Sequence, residues 1–428
     1  MNKKSVLLIG FALFSLFFGA GNLILPPFLG LNAGESWWIV AIGFCLSAVF
    51  IPLLGLLAHA KLQGTLFDFG KKVSPTFSLV YCLLVYLISI TLPSPRTASV
   101  THEMAIQPIF NSSPWLTSIL YFILVLIFVL NRSKILDVIG KLLTPAIILL
   151  LMAIIIEALF GFDFSFDPTQ FENSFSAGIL EGYQTFDAIG AVVVGGVIII
   201  SINLKFKDYS KADKKRLIIG GSLVAAFGLL LMYVGLILTG ALTQTNFELD
   251  VTRTALLSGI SKLTLGTTAT LFLSILVSLA CFTTAVGIVT GTADYIKGRF
   301  HDSQLAYKIT AVIGCVLGVL MGQFDVGYII AVALPALMFI YPVTIVLILL
   351  NVVPEKYAST AVFKAVVMAT IIFSIPDFIG SLGYGNSILA LQNLIPLSKF
   401  HLGWMIPALV TFIFSNAFYQ VNTQENKL

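Results

Sequence analysis

Phe17-Phe18-Gly19-Ala20-Gly21-Asn22-Leu23 sits midway through an apolar run covering residues 6–31. The run is long enough to cross a bilayer, which takes roughly 20 apolar residues. Its middle carries glycines and an amide where a plain anchor would carry leucines. Glycine costs a helix interior about 1 kcal/mol relative to alanine, and in hydrocarbon every freed N–H and C=O must find a partner. An interruption at that depth is tolerated only where it is buried in protein or lines a cavity, as where carriers build binding sites from broken helices. The stretch therefore predicts a solute site inside a membrane.

The rest of the composition agrees. Hydrophobic residues make up 58% of the 428, charged residues 10%, and mean hydropathy is +1.01, far from a soluble domain. Twelve apolar windows follow one another, from residues 6–31 to residues 402–419, the ninth (309–321) being the shortest. With the N-terminus inside, the segments that remain cytoplasmic carry every Lys and Arg except Arg96, Arg253, Lys262 and Lys399. Arg132, Lys134, Lys207 and Lys427 are among those inside. This is the positive-inside bias. It places both termini in the cytoplasm and explains the net charge of +4 without a nucleic-acid partner. Lys3-Lys4 before an apolar run imitates a signal peptide, but the run is longer than such a region, so cleavage is not expected. Cys45, Cys82, Cys281 and Cys315 lie singly in apolar windows, so neither disulfides nor a metal cluster is expected.

The sixth window repeats the peculiarity of the first. Gly182-Tyr183-Gln184-Thr185-Phe186-Asp187-Ala188-Ile189-Gly190 again sets glycines and polar groups midway through an apolar stretch. An offset of five windows sends the two interrupted helices into the membrane from opposite sides, as an inverted repeat does. The expected architecture is all-α and single-domain. Residues 6–160 form one repeat, 175–350 the other, and 362–419 supply two additional helices. Half-helix N-termini at the breaks suit a carboxylate and C-terminal carbonyls suit a cation.

Phe18-Gly19-Ala20-Gly21-Asn22-Leu23-Ile24-Leu25-Pro26-Pro27 resembles the first-helix signature of the bacterial branched-chain amino acid:cation symporters (the BrnQ or LIVCS family). Pro95-Arg96-Thr97-Ala98-Ser99-Val100, with Glu103 beyond, is similar to that family's third-span motif, although Pro93 is an added proline. The resemblance covers the whole chain. It implies a leucine-transporter-like fold of the amino acid–polyamine–organocation group. It implies uptake of leucine, isoleucine and valine across a bacterial plasma membrane, driven by a cation gradient and needing no other cofactor. By position it implies that Gly19, Ala20, Gly21 and Asn22 bind substrate together with Phe186, Asp187, Ala188 and Gly190. It also implies a sodium site made of carbonyls at Ser15, Phe18 and Ala280 and the hydroxyls of Thr283 and Thr284.

The residues themselves leave more open. Two adjacent hydroxyls in an apolar helix can serve a hard cation, or can merely bond the carbonyl three or four residues earlier. Asp187, an ionisable group at membrane depth, is a functional candidate by default. It could face the substrate's ammonium, a metal cation, or carry a coupling proton. Arg96 needs a buried partner, and Glu103, seven residues on, would make a structural pair or outer-gate latch. Phe14, Phe17, Phe18, Leu23, Phe186 and Ile189 are expected to line an aliphatic pocket. Such a pocket penalises a charged side chain and separates Leu, Ile and Val weakly, one methylene being worth about 1–3 kcal/mol. No GxxxxGK[ST] motif occurs, so ATP drive is not expected. A carrier for another zwitterion or a nucleobase is the alternative. A channel or membrane-embedded enzyme is disfavoured, since no nucleophile–base or metal constellation can be assembled. Oligomeric state is left open.

Overall fold

The structure, a computed structural model, describes residues 3–131, 135–205 and 209–425, and every regular element among them is helical. Arg132, Lys134, Lys207 and Lys427, counted above toward orientation, lie outside the described residues. Nine of the described helices are long and apolar enough to cross a membrane, and a shorter apolar helix, Met405–Phe418, follows them. The short ninth window forms the helix Gln304–Met321. The four cysteines are free and buried.

The first window is not one helix. Lys3–Phe17 ends where Gly19 N–H bonds to the Phe17 carbonyl at 2.8 Å, and Ala20–Asn22 forms a single 3-10 turn. Helix resumes at Leu25 with proline in its first turn. That is where Pro26 and Pro27 fit, because a proline lacks the N–H that the first turn does not use. The sixth window breaks likewise, into Ser174–Tyr183 and Asp187–Lys205. Between them Phe186 takes φ +60°, a left-handed conformation that costs a bulky residue on the order of 1–3 kcal/mol. Thr185 helps to hold it. Its hydroxyl donates to the Gly182 carbonyl (2.8 Å) and accepts from the Asp187 N–H (3.2 Å).

The half-helices Leu25–Ala33 and Ser174–Tyr183 are each locked to a neighbour through glycine. A Cβ at Gly30 would lie 1.8 Å from the Ile237 carbonyl oxygen and one at Gly240 2.0 Å from that of Pro27, so Leu25–Ala33 packs backbone to backbone on Lys211–Leu242. In the same way a Cβ at Gly43 would lie 2.2 Å from the Phe175 carbonyl oxygen and one at Gly178 2.2 Å from that of Val40. This joins Ser174–Tyr183 to the next helix, Trp37–Cys45. Small residues permit such approaches where lipid offers no hydrophobic drive between helices. Gly195, against the His59 ring, and Gly221, against Ile9, are packing glycines. The helix Arg253–Arg299 bends at Gly266 (φ +84°) before it runs past the breaks.

Candidate substrate and ion site

The two breaks are bonded to each other. The Asn22 amide nitrogen, from the first, donates to both carboxylate oxygens of Asp187, from the second, at 2.8 and 3.0 Å. It also lies 2.8 Å from the Phe17 carbonyl and 3.0 Å from the Tyr233 hydroxyl, which in turn donates to Asp187 Oδ2 at 3.3 Å. Asn22, Asp187 and Tyr233 are all buried. A carboxylate at this depth requires hydrogen bonds to offset its lost hydration. The Asn22 amide thereby stitches segments 165 residues apart.

A chamber of about 1990 Å³ begins at this junction. Gly19, Gly21, Asn22, Phe186, Asp187 and Gly190 line it. It continues past Tyr86 and Tyr295, whose rings stack at 4.3 Å, to Thr65, Phe67 and Arg299. Its volume exceeds that of an ordinary ligand pocket, roughly 300–1,000 Å³, because it runs on toward one end of the helix bundle. The other end is sealed. There Arg253 pairs with Glu181 (3.0 Å) and lies 4.1 Å over the Phe28 ring, while Glu103 accepts hydrogen bonds from the Thr254 hydroxyl and from Val326 N–H (2.8 Å).

The expected residues divide. Gly19, Gly21, Asn22, Phe186, Asp187 and Gly190 meet at the chamber head, and Ala20 lies in the 3-10 turn between them. The Ala188 side chain is packed in the core instead, because it points to the opposite face of its helix from the chamber. Of the expected aliphatic lining, Phe17, Phe186 and Ile189 reach the chamber. Phe14, Phe18 and Leu23 do not: they fill the core against Lys211–Leu242, Phe14 and Phe18 tilted together at 4.7 Å and Phe18 against Tyr233 at 6.1 Å.

Ser15, Thr283 and Thr284 line the same chamber. The Thr283 and Thr284 hydroxyls both donate to the Ala280 carbonyl, at 3.0 and 2.8 Å, which leaves their oxygen lone pairs available. A Cβ on Gly19 would stand 3.7 Å from Thr284 Oγ1, so the first break runs beside this hydroxyl. Phe18 and Ala280 would contribute through their backbones. The Ser15 hydroxyl meets that of Thr144 at 2.7 Å. No cluster of three or more His, Cys, Asp or Glu suited to a metal occurs among the described residues.

The Arg96–Glu103 pair is not formed. Arg96 Nη1 donates to the Gln184 carbonyl at 2.8 Å, and Glu103 turns to Thr254 and Val326. The helix bends at Leu92 and opens into a π turn over His102–Ile106. Seven helical residues also span about 10 Å of rise, so sharing a face does not bring the two side chains together. Sequence reasoning also missed Tyr233, Gln184, Tyr86 and Tyr295. The trace of Tyr233 was a lone hydroxyl in an apolar window, a weak signal because tyrosines commonly serve as core residues.

The family profile described as Branched-chain amino acid transport protein matches residues 2–422. The chain belongs to that family. Among its relatives, the branched-chain amino acid permease BraB of Bacillus subtilis is 34% identical over 421 residues, 95% of this chain and 94% of that one. Among solved structures, MhsT in complex with L-phenylalanine superposes with a TM-score of 0.57 at 16% identity, over 97% of this chain and 99% of that chain. A Na+-coupled sialic acid symporter gives 0.62 at 13% identity, over 96% and 89%. This member of the branched-chain amino acid transport family thus has the leucine-transporter fold. It is a multi-pass membrane protein and a transporter rather than an enzyme.

Proposed function

We propose that the chain takes up leucine, isoleucine and valine by alternating access, coupled to a cation and preferably to sodium. The observation that carries this is the junction of the two breaks, Asn22 on Asp187 at the head of the chamber. It gives an amino acid backbone dipoles and charge at one point, with Phe17, Phe186 and Ile189 nearby for an aliphatic side chain. The relative BraB is named a branched-chain amino acid permease, and the sialic acid symporter is named as Na+-coupled. Sodium is favoured because Thr283 and Thr284 line the chamber and Thr284 stands beside the first break; carbonyls of Ser15, Phe18 and Ala280 would complete an oxygen shell. A proton carried by Asp187 is the rival.

The inverted repeat finds support in the packing. The first broken segment docks on Lys211–Leu242, and the sixth docks on the helix after the first. These are the two contacts that a five-window offset exchanges. In this reading the chain lies in a bacterial plasma membrane with both termini inside. The chamber then opens to the cytoplasm and the Arg253–Glu181 end faces out. Uptake of labelled leucine into proteoliposomes tests the coupling. A sodium gradient imposed at equal pH should drive accumulation, and a pH gradient without sodium should not. Accumulation on the pH gradient alone would move the coupling to protons.

A further inference from the structure

Arg96, like Asp187, is a charged side chain that touches both breaks. Its Nη1 donates to the Gln184 carbonyl of the second. Its Nη2 stands where a Cβ on Gly21, in the first, would be only 2.6 Å away. The guanidinium carbon lies 5.4 Å from the centre of the Phe186 ring. Arg96 is 3% exposed, yet it lines the chamber. A guanidinium carries five N–H donors in a fixed fork, and the Gln184 carbonyl is its hydrogen-bond acceptor among the described residues. The neighbouring carboxylates among the described residues are engaged elsewhere. Glu103 is held by Thr254 and Val326, Glu181 by Arg253, and Asp187 by Asn22 and Tyr233. A buried cation without an anionic partner is costly, and breaking such a pair is strongly unfavourable. An anion arriving in the chamber at this point would be bound.

We propose that Arg96 receives the α-carboxylate of the transported amino acid, in the space between Gly21, Gln184 and Phe186. The assignment rests on the reading of this chamber as the amino acid site. The planar fork matches a carboxylate with two parallel hydrogen bonds. Asp187, on the second break, supplies the opposite charge for the ammonium group. A zwitterion then closes both charges at once. A side chain at Gly21 would have to displace the guanidinium. Phe186 covers the cation's face, and its left-handed backbone turns the Gln184 carbonyl and the ring to the same arginine.

The test compares leucine with leucinamide, which differs only at the carboxylate. Binding of each is measured calorimetrically on the purified full chain in saturating sodium, for the wild type, R96Q and R96K. The wild type should prefer leucine by about 30-fold or more, as sites built around a buried charged hydrogen bond do. R96Q should lose leucine by about that factor and hold leucinamide within about threefold, so that the preference collapses. R96K, a point charge without the fork, should fall between. Equal loss of both ligands, or a leucine preference that survives R96Q, overturns the proposal. Should R96Q not fold, G21A provides the same readout, because its methyl group displaces the guanidinium: collapse of the preference supports the proposal and persistence overturns it. Wild type that binds neither ligand refutes the underlying reading of the chamber, and the assignment with it.

Discussion

The Asn22–Asp187 contact makes a quantitative prediction. Removing the amide with Asn22→Ala deprives a buried carboxylate of one of its two side-chain donors, a nitrogen that lies 2.8 and 3.0 Å from its two oxygens. Hydrogen bonds to charged groups contribute about 1.5–3 kcal/mol each. Chamber water can replace part of that, since Asn22 and Asp187 both line the cavity, so the net loss should be about 2–3 kcal/mol, or roughly 30- to 150-fold in leucine kcat/KM. Asp187→Asn removes the charge the amide serves. If Asn22 acts through Asp187, the double variant should be little worse than Asp187→Asn alone. The two effects would then miss additivity by about 1.5–3 kcal/mol, well beyond the few tenths expected of independent sites. The assay is initial-rate leucine uptake in proteoliposomes at matched protein incorporation, with melting in detergent confirming that each variant is folded. Effects that add would refute the coupling of the two breaks through this contact.

Three further outcomes follow from the same structure. Thr284→Ala removes the hydroxyl 3.7 Å from the Gly19 Cβ position, and should raise the sodium concentration for half-maximal leucine uptake by about 10-fold, the size of one lost ligand of about 1.4 kcal/mol. Thr284→Ser should restore it, and an unchanged sodium curve in the alanine variant would remove Thr284 from the ion site. Gly30→Ala sets a methyl group 1.8 Å from the Ile237 carbonyl oxygen. It should cost at least about 1–3 kcal/mol by overpacking, seen as a clearly lower melting temperature in detergent, whereas Gly190→Ala, with open space at its Cβ position, should melt near wild type. Glu181→Gln breaks the ion pair with Arg253 at the sealed end. A membrane-impermeant thiol reagent should then label Phe186→Cys from that side faster than it does in the parent, and equal rates would show that the pair does not hold the seal.

What could be read from the chain in advance was local. Gly19, Gly21, Pro26 and Pro27 write the first break into nine consecutive residues, and Asp187 after Gly182 marks the second, because helix propensity and membrane depth act on short stretches. The same is true of Thr283-Thr284, whose adjacency on one helix needs no tertiary information. What stayed hidden depends on packing between distant segments. Tyr233 lies beside Asn22 and Asp187 through packing in which Gly30 and Gly240 bring its helix into backbone contact with Leu25–Ala33. Arg96 and Glu103 were misjudged as a pair because each meets partners on other segments, Gln184 for the first and Thr254 and Val326 for the second, which a count of residues does not reveal. Phe14, Phe18 and Leu23 have the chemistry of a pocket lining and the positions of core residues. Apolarity alone does not distinguish those roles, since chamber and core select the same side chains.

The central claim is that two broken helices grip the substrate between them, and a density map of the full chain with leucine and sodium bound tests it most directly. The account predicts leucine density in contact with residues 19–22 and 184–190, its carboxylate at Arg96, and both helices interrupted at that level. Leucine bound elsewhere in the bundle, or either helix running unbroken through those residues, would contradict it.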